Sequence, residues 1–592
     1  MSLRLSRASF RTASLPYLLL ALISLSPARA QSPAGAQSID QFFQQTFEQM
    51  VRENPEFATT VGRHEFDDRW TDFSQSARAA RRQALEARLA RANSFSQAGL
   101  SPENQLTLRV LQYDLHSELE AWDLTEHLLR VGQLFGFHNR VYLVIDRMPA
   151  RTVHDYENIL ARLKRIPAYV DQNLKVLDEA IAAKQTQSKV VADLVIAQIA
   201  TQAAQDAEHT HLLDAFRAFP ASVPSAEQQR LQAEAVHTYE TAVLPAWRKL
   251  HDYMAETYLQ HVRPTDSISS LPDGQNAYAI LVRRLTTTKL SPAEIHQLGL
   301  DEVARIEAEM TAIARGTGFS GSLGEFQAKL KSDPAQHFRS QDEMLAYCRD
   351  IAMKILPELP NQFRHIPVLL FGVRPIPADR EAATATNAQS PAPDFSKPGW
   401  FNLNTFQPEK QVRYDKESLV LHEAIPGHVF QGTVAETQAN LPEIRKFYSN
   451  SAYAEGWALY VESLGPQLGL YRDPLSRFGQ LASERFRAVR LVVDTGIHQF
   501  GWTREKALAY FADHAPEETA AEIDRYISWP AQALSYKVGQ LRIHALRTEA
   551  EQQLGPRFDV RDFHDAVLRD GRLPLELLAE QVHHYITEKG AQ

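Results

Sequence analysis

From about residue 38 to residue 260, apolar residues recur at spacings of three and four with few glycines between them, a pattern that only helices packed on helices can bury. "SARAARRQALEARLARANSF" and "YENILARLKRIPAYVDQNLKVLDEAIAAKQ" carry this period, and "SAEQQRLQAEAVHTYETAVLPAWRKLHDYMAETYL" extends it over a longer run. A second stretch of the same kind opens at Ser291. There "SPAEIHQLGLDEVARIEAEMTAIARG" places Ser291 at an N-cap, Pro292 at the first helical position and Glu294 where a capping box needs it. The period changes only around "IPVLLFGV" (366–373) and "GWFNLNTF" (399–406), the best strand candidates. Between them "RPIPADREAATATNAQSPAPDFSKP" reads as a long functional loop. The expected fold is mainly α, a large multi-helix chain with a small β-sheet and a deep cleft. An N-terminal helical region spans 38–285, and a second region spans 286–592. A chain of 592 residues is too long for one ordinary core.

Residues 1–30 have the order of a secretory signal. Arg4, Arg7 and Arg11 precede the apolar "LPYLLLALISL", and "ARA" precedes Gln31 as a cleavage site. That apolar run is too short to span a bilayer, which takes about 20 residues. The expected product is exported, periplasmic or extracellular, with no stable membrane insertion after cleavage. The net charge of −9 argues against a nucleic-acid partner, which selects for a basic stripe. The single cysteine, Cys348, excludes an intrachain disulfide. It lies in "EMLAYCRDIAMKIL", whose apolar spacing makes it an inert core residue.

The chemistry concentrates in "LHEAIPGHVFQ" (421–431). It resembles the H-E-x-x-H signature of zinc peptidases, but four residues rather than two separate His422-Glu423 from His428. Six steps along an ideal helix turn about 600°, which carries His428 off the face of His422. The two meet only if the helix bulges at Ile425 to Gly427, where Pro426 and Gly427 favour such a break. By chance alone a match of this kind is expected about 0.1 times in a chain of this composition, so the motif needs support. "SAYAEGWALYVESLG" (451–465) supplies it. Glu455 and Glu462 lie seven apart on one face of an apolar helix, a costly arrangement unless something cationic meets them. Glu455 completes a His2Glu zinc set, and Glu462 supports a histidine from behind.

"AEGWALYVE" looks like the glutamate-bearing helix of gluzincin peptidases. Together, "HEAIPGH", "AEGWALY", "RLVVDTGIHQFGWT" and "PAQALSYKVGQL" resemble the bacterial DUF885 family, placed near those peptidases. The resemblance implies His422, His428 and Glu455 as ligands of one zinc ion and Glu423 as the catalytic carboxylate. The two extra residues between the histidines depart from the gluzincin pattern. A peptidase also needs a donor for the tetrahedral oxyanion. Tyr536 in "LSYKVGQ" offers a phenol, and His498 offers an imidazole that Asp494 orients on a shared helical face with Arg490. "GWFNLNTF" fits an edge strand beside the metal helix, with Asn402 and Asn404 facing the cleft and the substrate backbone adding to it. The expected activity is hydrolysis of small or unstructured peptides. A helical binding protein without catalysis, and hydrolysis of a non-peptide amide or ester, remain the alternatives. Arg490, Lys537 and Arg542 stand equally as anchors for a terminal carboxylate.

Overall fold

The computed structural model describes residues 38–591 apart from 378–380, 382–384, 392–396 and 517–518. The signal-like segment 1–30 lies outside the described residues, as does part of the loop between the two expected strands. The chain is mainly helical with a small three-stranded sheet. Among the described residues, no helix is long and apolar enough to cross a membrane.

The helices form where caps and period dictate. Ser291 accepts from the backbone N–H of Glu294 and Glu294 accepts from that of Ser291, so the capping box starts the helix Pro292–Gly316. The long run near residue 240 is one rod in three parts: Ser225–Thr238, a π-helical turn Tyr239–Val243, and Leu244–Glu256. The wide turn lies just before Pro245, which has no N–H to continue an α ladder. Cys348 is buried in the helix Gln341–Ile355, and burial pushes its thiol pKa up to about 12, as an inert core residue requires.

Two large apolar clusters form the interior, and both cross residue 286. One joins Tyr278 and Cys348 to Trp457 and Val538, and the other joins Trp247 and Tyr258 to Val489 and Tyr526. The helix Pro474–His498 is buried on nearly every side of its C-terminal half and packs along Pro292–Gly316.

Strands β1 (Phe371–Pro375), β2 (Asn387–Gln389) and β3 (Gly399–Leu403) lie in the order β1-β3-β2. β3 pairs parallel with β1, Val373 opposite Phe401, and antiparallel with β2, Asn387 opposite Asn402. Three sequence expectations change here. β3 is the central strand, so the edges are β1 and β2, the latter a three-residue strand inside the segment read as loop. Asn402 does not face a cleft: it accepts from Arg374 Nε at 2.7 Å and donates to Asn387 Oδ1 at 2.9 Å. Asn404 is turned to backbone groups, donating to the Glu381 carbonyl and accepting from Phe406 N. The first strand starts at Phe371 rather than Ile366, because the β3 ladder begins opposite Phe371. Ile366, Val368 and Leu370 are left exposed.

Candidate metal centre and cleft

His422 ends one helix and His428 starts the next. Lys416–Glu423 stops at Glu423, and His428–Thr437 begins after four intervening residues. The expected outward bulge is thus a full break, residues 424–427 forming a tight loop with a cis Ile425–Pro426 peptide. Trp457 Nε1 donates to the Pro426 carbonyl at 2.8 Å and pins this loop to the helix Ser451–Glu462. Gly427 is required by space. A Cβ there would lie 1.8 Å from the His422 carbonyl oxygen and 2.3 Å from that of Leu421. The loop returns His428 to His422, their ring centroids 4.9 Å apart and nearly perpendicular.

Glu455 comes from the helix Ser451–Glu462, which Asn450 caps by accepting from Tyr453 N. Its Oε2 lies 3.2 Å from His428 Nε2 and 3.5 Å from His422 Nε2. That oxygen is buried and has no aligned hydrogen-bond donor. Ligand atoms of His422, His428 and Glu455 all fall within 4.8 Å of one another. Glu462, two turns along the same helix, grips the first histidine from the other side, accepting from Nδ1 at 2.7 Å. A carboxylate only accepts, so Nδ1 carries a proton and Nε2 is the nitrogen that faces Glu455. Ser418 and Ser483 each donate to the other Glu462 oxygen at 3.1 Å, which fixes the carboxylate.

The charges reinforce one another. Burial raises the Glu455 pKa, but the two histidines outweigh it and hold the carboxylate well below its usual range. Burial lowers the His422 pKa, and Glu455 and Glu462 reverse that to about 9. A proton on His422 and a metal cation would compete for the space between these three side chains. Glu423 lies beside His422 with its pKa raised by burial against the pull of both histidines.

The cluster opens on a cavity of about 650 Å3. Glu423 and Tyr536 line it, as do Arg487, Arg490, Glu522 and Arg525. Tyr536 is held by Arg525 Nη2, which donates to its hydroxyl at 3.2 Å, and by the Arg490 guanidinium 4.4 Å over its ring. Its helix, Leu534–Leu554, meets the Glu455 helix where Gly456 faces Gly539. A Cβ on Gly456 would come within 2.5 Å of the Gly539 backbone, so the approach depends on that bare pair.

His498 is not brought to this site. It is fully buried, its Nδ1 accepting from Ile268 N at 3.1 Å and its Nε2 donating to the Tyr526 carbonyl at 2.9 Å. Burial pushes its pKa down to about 3, so it stays neutral, held by backbone on both nitrogens. Asp494 does not orient it, accepting instead from Tyr278 at 2.5 Å and from Ala531 N. Lys537 is buried between Glu484 and Glu302 at 2.7 and 2.8 Å, and neither it nor Arg542 lines the cavity. Arg487 and Arg525 escaped the sequence reading. Arg487 had one signal, its place one turn before Arg490 on the same helix.

The family described as bacterial protein of unknown function, DUF885, matches residues 55–582. The chain belongs to the DUF885 family. Two solved structures are similar to this DUF885 protein along nearly its whole length. A protein of Colwellia psychrerythraea described as a lipoprotein is 27% identical, with a TM-score of 0.89, over 93% of this chain and 100% of its own. One from Shewanella oneidensis, described as a lipoprotein of unknown function, is 18% identical, with a TM-score of 0.72, over 92% and 99%. No curated protein matches.

Proposed function

We propose that this DUF885 protein is an exported, zinc-dependent hydrolase that cleaves peptide bonds. The observation that carries the reading is the approach of His422, His428 and Glu455 to within 4.8 Å at the wall of a cavity. The donor set fits zinc. Bonds of about 2.0–2.2 Å at tetrahedral angles place donors about 3.4 Å apart, and the His–Glu separations are 3.2 and 3.5 Å. The buried Glu455 oxygen without a hydrogen-bond donor and the Glu462-backed imidazole suit a ligand and its support. Export is supported by the description of both structural neighbours as lipoproteins and by the signal-like order of residues 1–30.

Bound zinc supplies a Lewis acid and lowers the pKa of a water it holds toward about 7. Glu423, beside the first ligand and on the cavity wall, takes the proton from the attacking water and returns it to the leaving amine. The Tyr536 hydroxyl accepts from Arg525, which leaves its own hydrogen to donate to the developing oxyanion. The substrate backbone runs along β2, an edge strand, whose Asn387 and Ala388 line the cavity.

Tyr536→Phe is expected to lower kcat about 10²–10³-fold with zinc content unchanged, the loss typical of one oxyanion donor. Glu462→Gln is expected to weaken zinc binding about 10–100-fold, measured by competition with a chelator, because the uncharged amide is a weaker acceptor for His422 and its NH2 cannot accept from Ser418 and Ser483. Zinc-loaded protein incubated with a library of peptides, esters and amides, read by mass spectrometry, tests the function itself. Peptide fragments absent with Glu423→Gln support it. Turnover confined to non-peptide esters or amides redirects it, and no turnover at all with zinc bound sinks it in favour of a binding protein.

A further inference from the structure

A second cavity, of about 570 Å3, adjoins the first, with Leu419, His422, Phe486 and Arg487 lining both. Its inner walls are apolar, built from Val412, Leu419, Phe478, Ala482 and Phe486. Its carboxylates near the histidines are committed. Asp415 faces Lys416 Nζ at 2.9 Å, and Glu462 serves His422 and two serines. Lys331 and Asp513 are exposed at the rim.

Arg487 is the cation at the junction of the two cavities. Its Nη1 donates to Ser483 Oγ at 2.6 Å and to the Ser483 carbonyl at 3.2 Å. Ser483 donates in turn to Glu462, so one serine and one glutamate link this guanidinium to His422. Its Nε is buried without a hydrogen-bond partner, and among the described residues it forms no salt bridge, although its charge acts on the nearby Glu423 carboxyl. Arg490 and Arg525 differ in that both contact Glu522, at 3.2 and 3.3 Å. A guanidinium held beside the ligand cluster, at the mouth of an apolar pocket, matches a carboxylate attached to a bulky apolar group.

Resting on the peptidase reading above, we propose that the protein is a carboxypeptidase. The last residue of the substrate places a large apolar side chain in the second cavity and its free carboxylate against Arg487. Hydrolysis breaks the C–N bond of the last peptide unit. The water oxygen bonds to the carbonyl carbon, a proton goes to the departing nitrogen, and one amino acid leaves.

Zinc-loaded protein is assayed on benzoyl-Gly-Phe, its C-terminal amide, benzoyl-Gly-Ala and benzoyl-Gly-Asp. The expected kcat/KM for the Phe acid exceeds that for its amide about 100-fold, the scale of a charge-assisted contact, and exceeds that for the Asp acid. Arg487→Gln raises KM for the Phe acid about tenfold or more and changes the amide far less, so the preference for acid over amide shrinks, and Arg487→Lys recovers part of it. Ala482→Phe, which fills the pocket, lowers the rate for Phe relative to Ala. Equal rates for acid and amide, or cleavage inside amidated peptides, overturn the proposal and leave a peptidase. No hydrolysis of any peptide by zinc-loaded protein overturns both.

Discussion

Glu423→Gln is expected to lower kcat about 10²–10⁴-fold, the range of a general acid–base group, while zinc content and melting temperature stay at the wild-type values. The substitution keeps the side chain's shape and removes its basicity. Glu423 ends the helix Lys416–Glu423 at the cavity wall, next to a ligand but outside the three-residue cluster, so the metal keeps all its donors. Burial raises its pKa, and the neighbouring histidines pull the other way. The neutral amide neither takes the proton from water nor returns it to the amine. Stopped assays with the wild type and the variant, each at matched zinc loading, measure the difference. A variant within a few-fold of wild type removes Glu423 from the chemistry.

Gly427→Ala is expected to lose both stability and zinc. The added methyl would sit 1.8 Å from one backbone carbonyl oxygen and 2.3 Å from another, and neither swings away as a side chain does. The cost exceeds the about 1–3 kcal/mol of ordinary overpacking, because relief requires the 424–427 loop to move. That loop holds His428 against His422, and its Pro426 carbonyl is tied to Trp457. Thermal melts in zinc and in chelator separate the two effects. A lower melting temperature in both and little stabilisation by zinc are expected. A variant with wild-type stability and zinc response contradicts this expectation.

The helical nature of the chain, its small sheet and the approach of His422, His428 and Glu455 were legible in sequence because each rests on a strong local signal. Three- and four-residue apolar spacing sets the helices. Two glutamates seven apart inside "AEGWALYVE" point to one face, and the structure places them on opposite sides of His422. Spacing failed where one helix crosses several environments. Arg490, Asp494 and His498 share a face of Pro474–His498, but only Arg490 reaches the cavity. The last turns run beneath Ile268 and Tyr526 instead, and no periodicity marks where the cavity ends. β2 was invisible because three residues carry too little pattern, and its pairing with β3 is set by tertiary contact. Arg525 likewise reaches Tyr536 through the fold, from the helix Ala520–Ser528.

Zinc content per chain, measured on protein purified from zinc-replete medium, tests the central claim most directly. The predicted result is one zinc per chain in the wild type and in Glu423→Gln, and loss of stoichiometric zinc in His422→Ala, His428→Ala and Glu455→Ala with the helical circular-dichroism spectrum kept. A wild-type chain with no bound metal, or stoichiometric zinc that survives in all three ligand variants, contradicts the account.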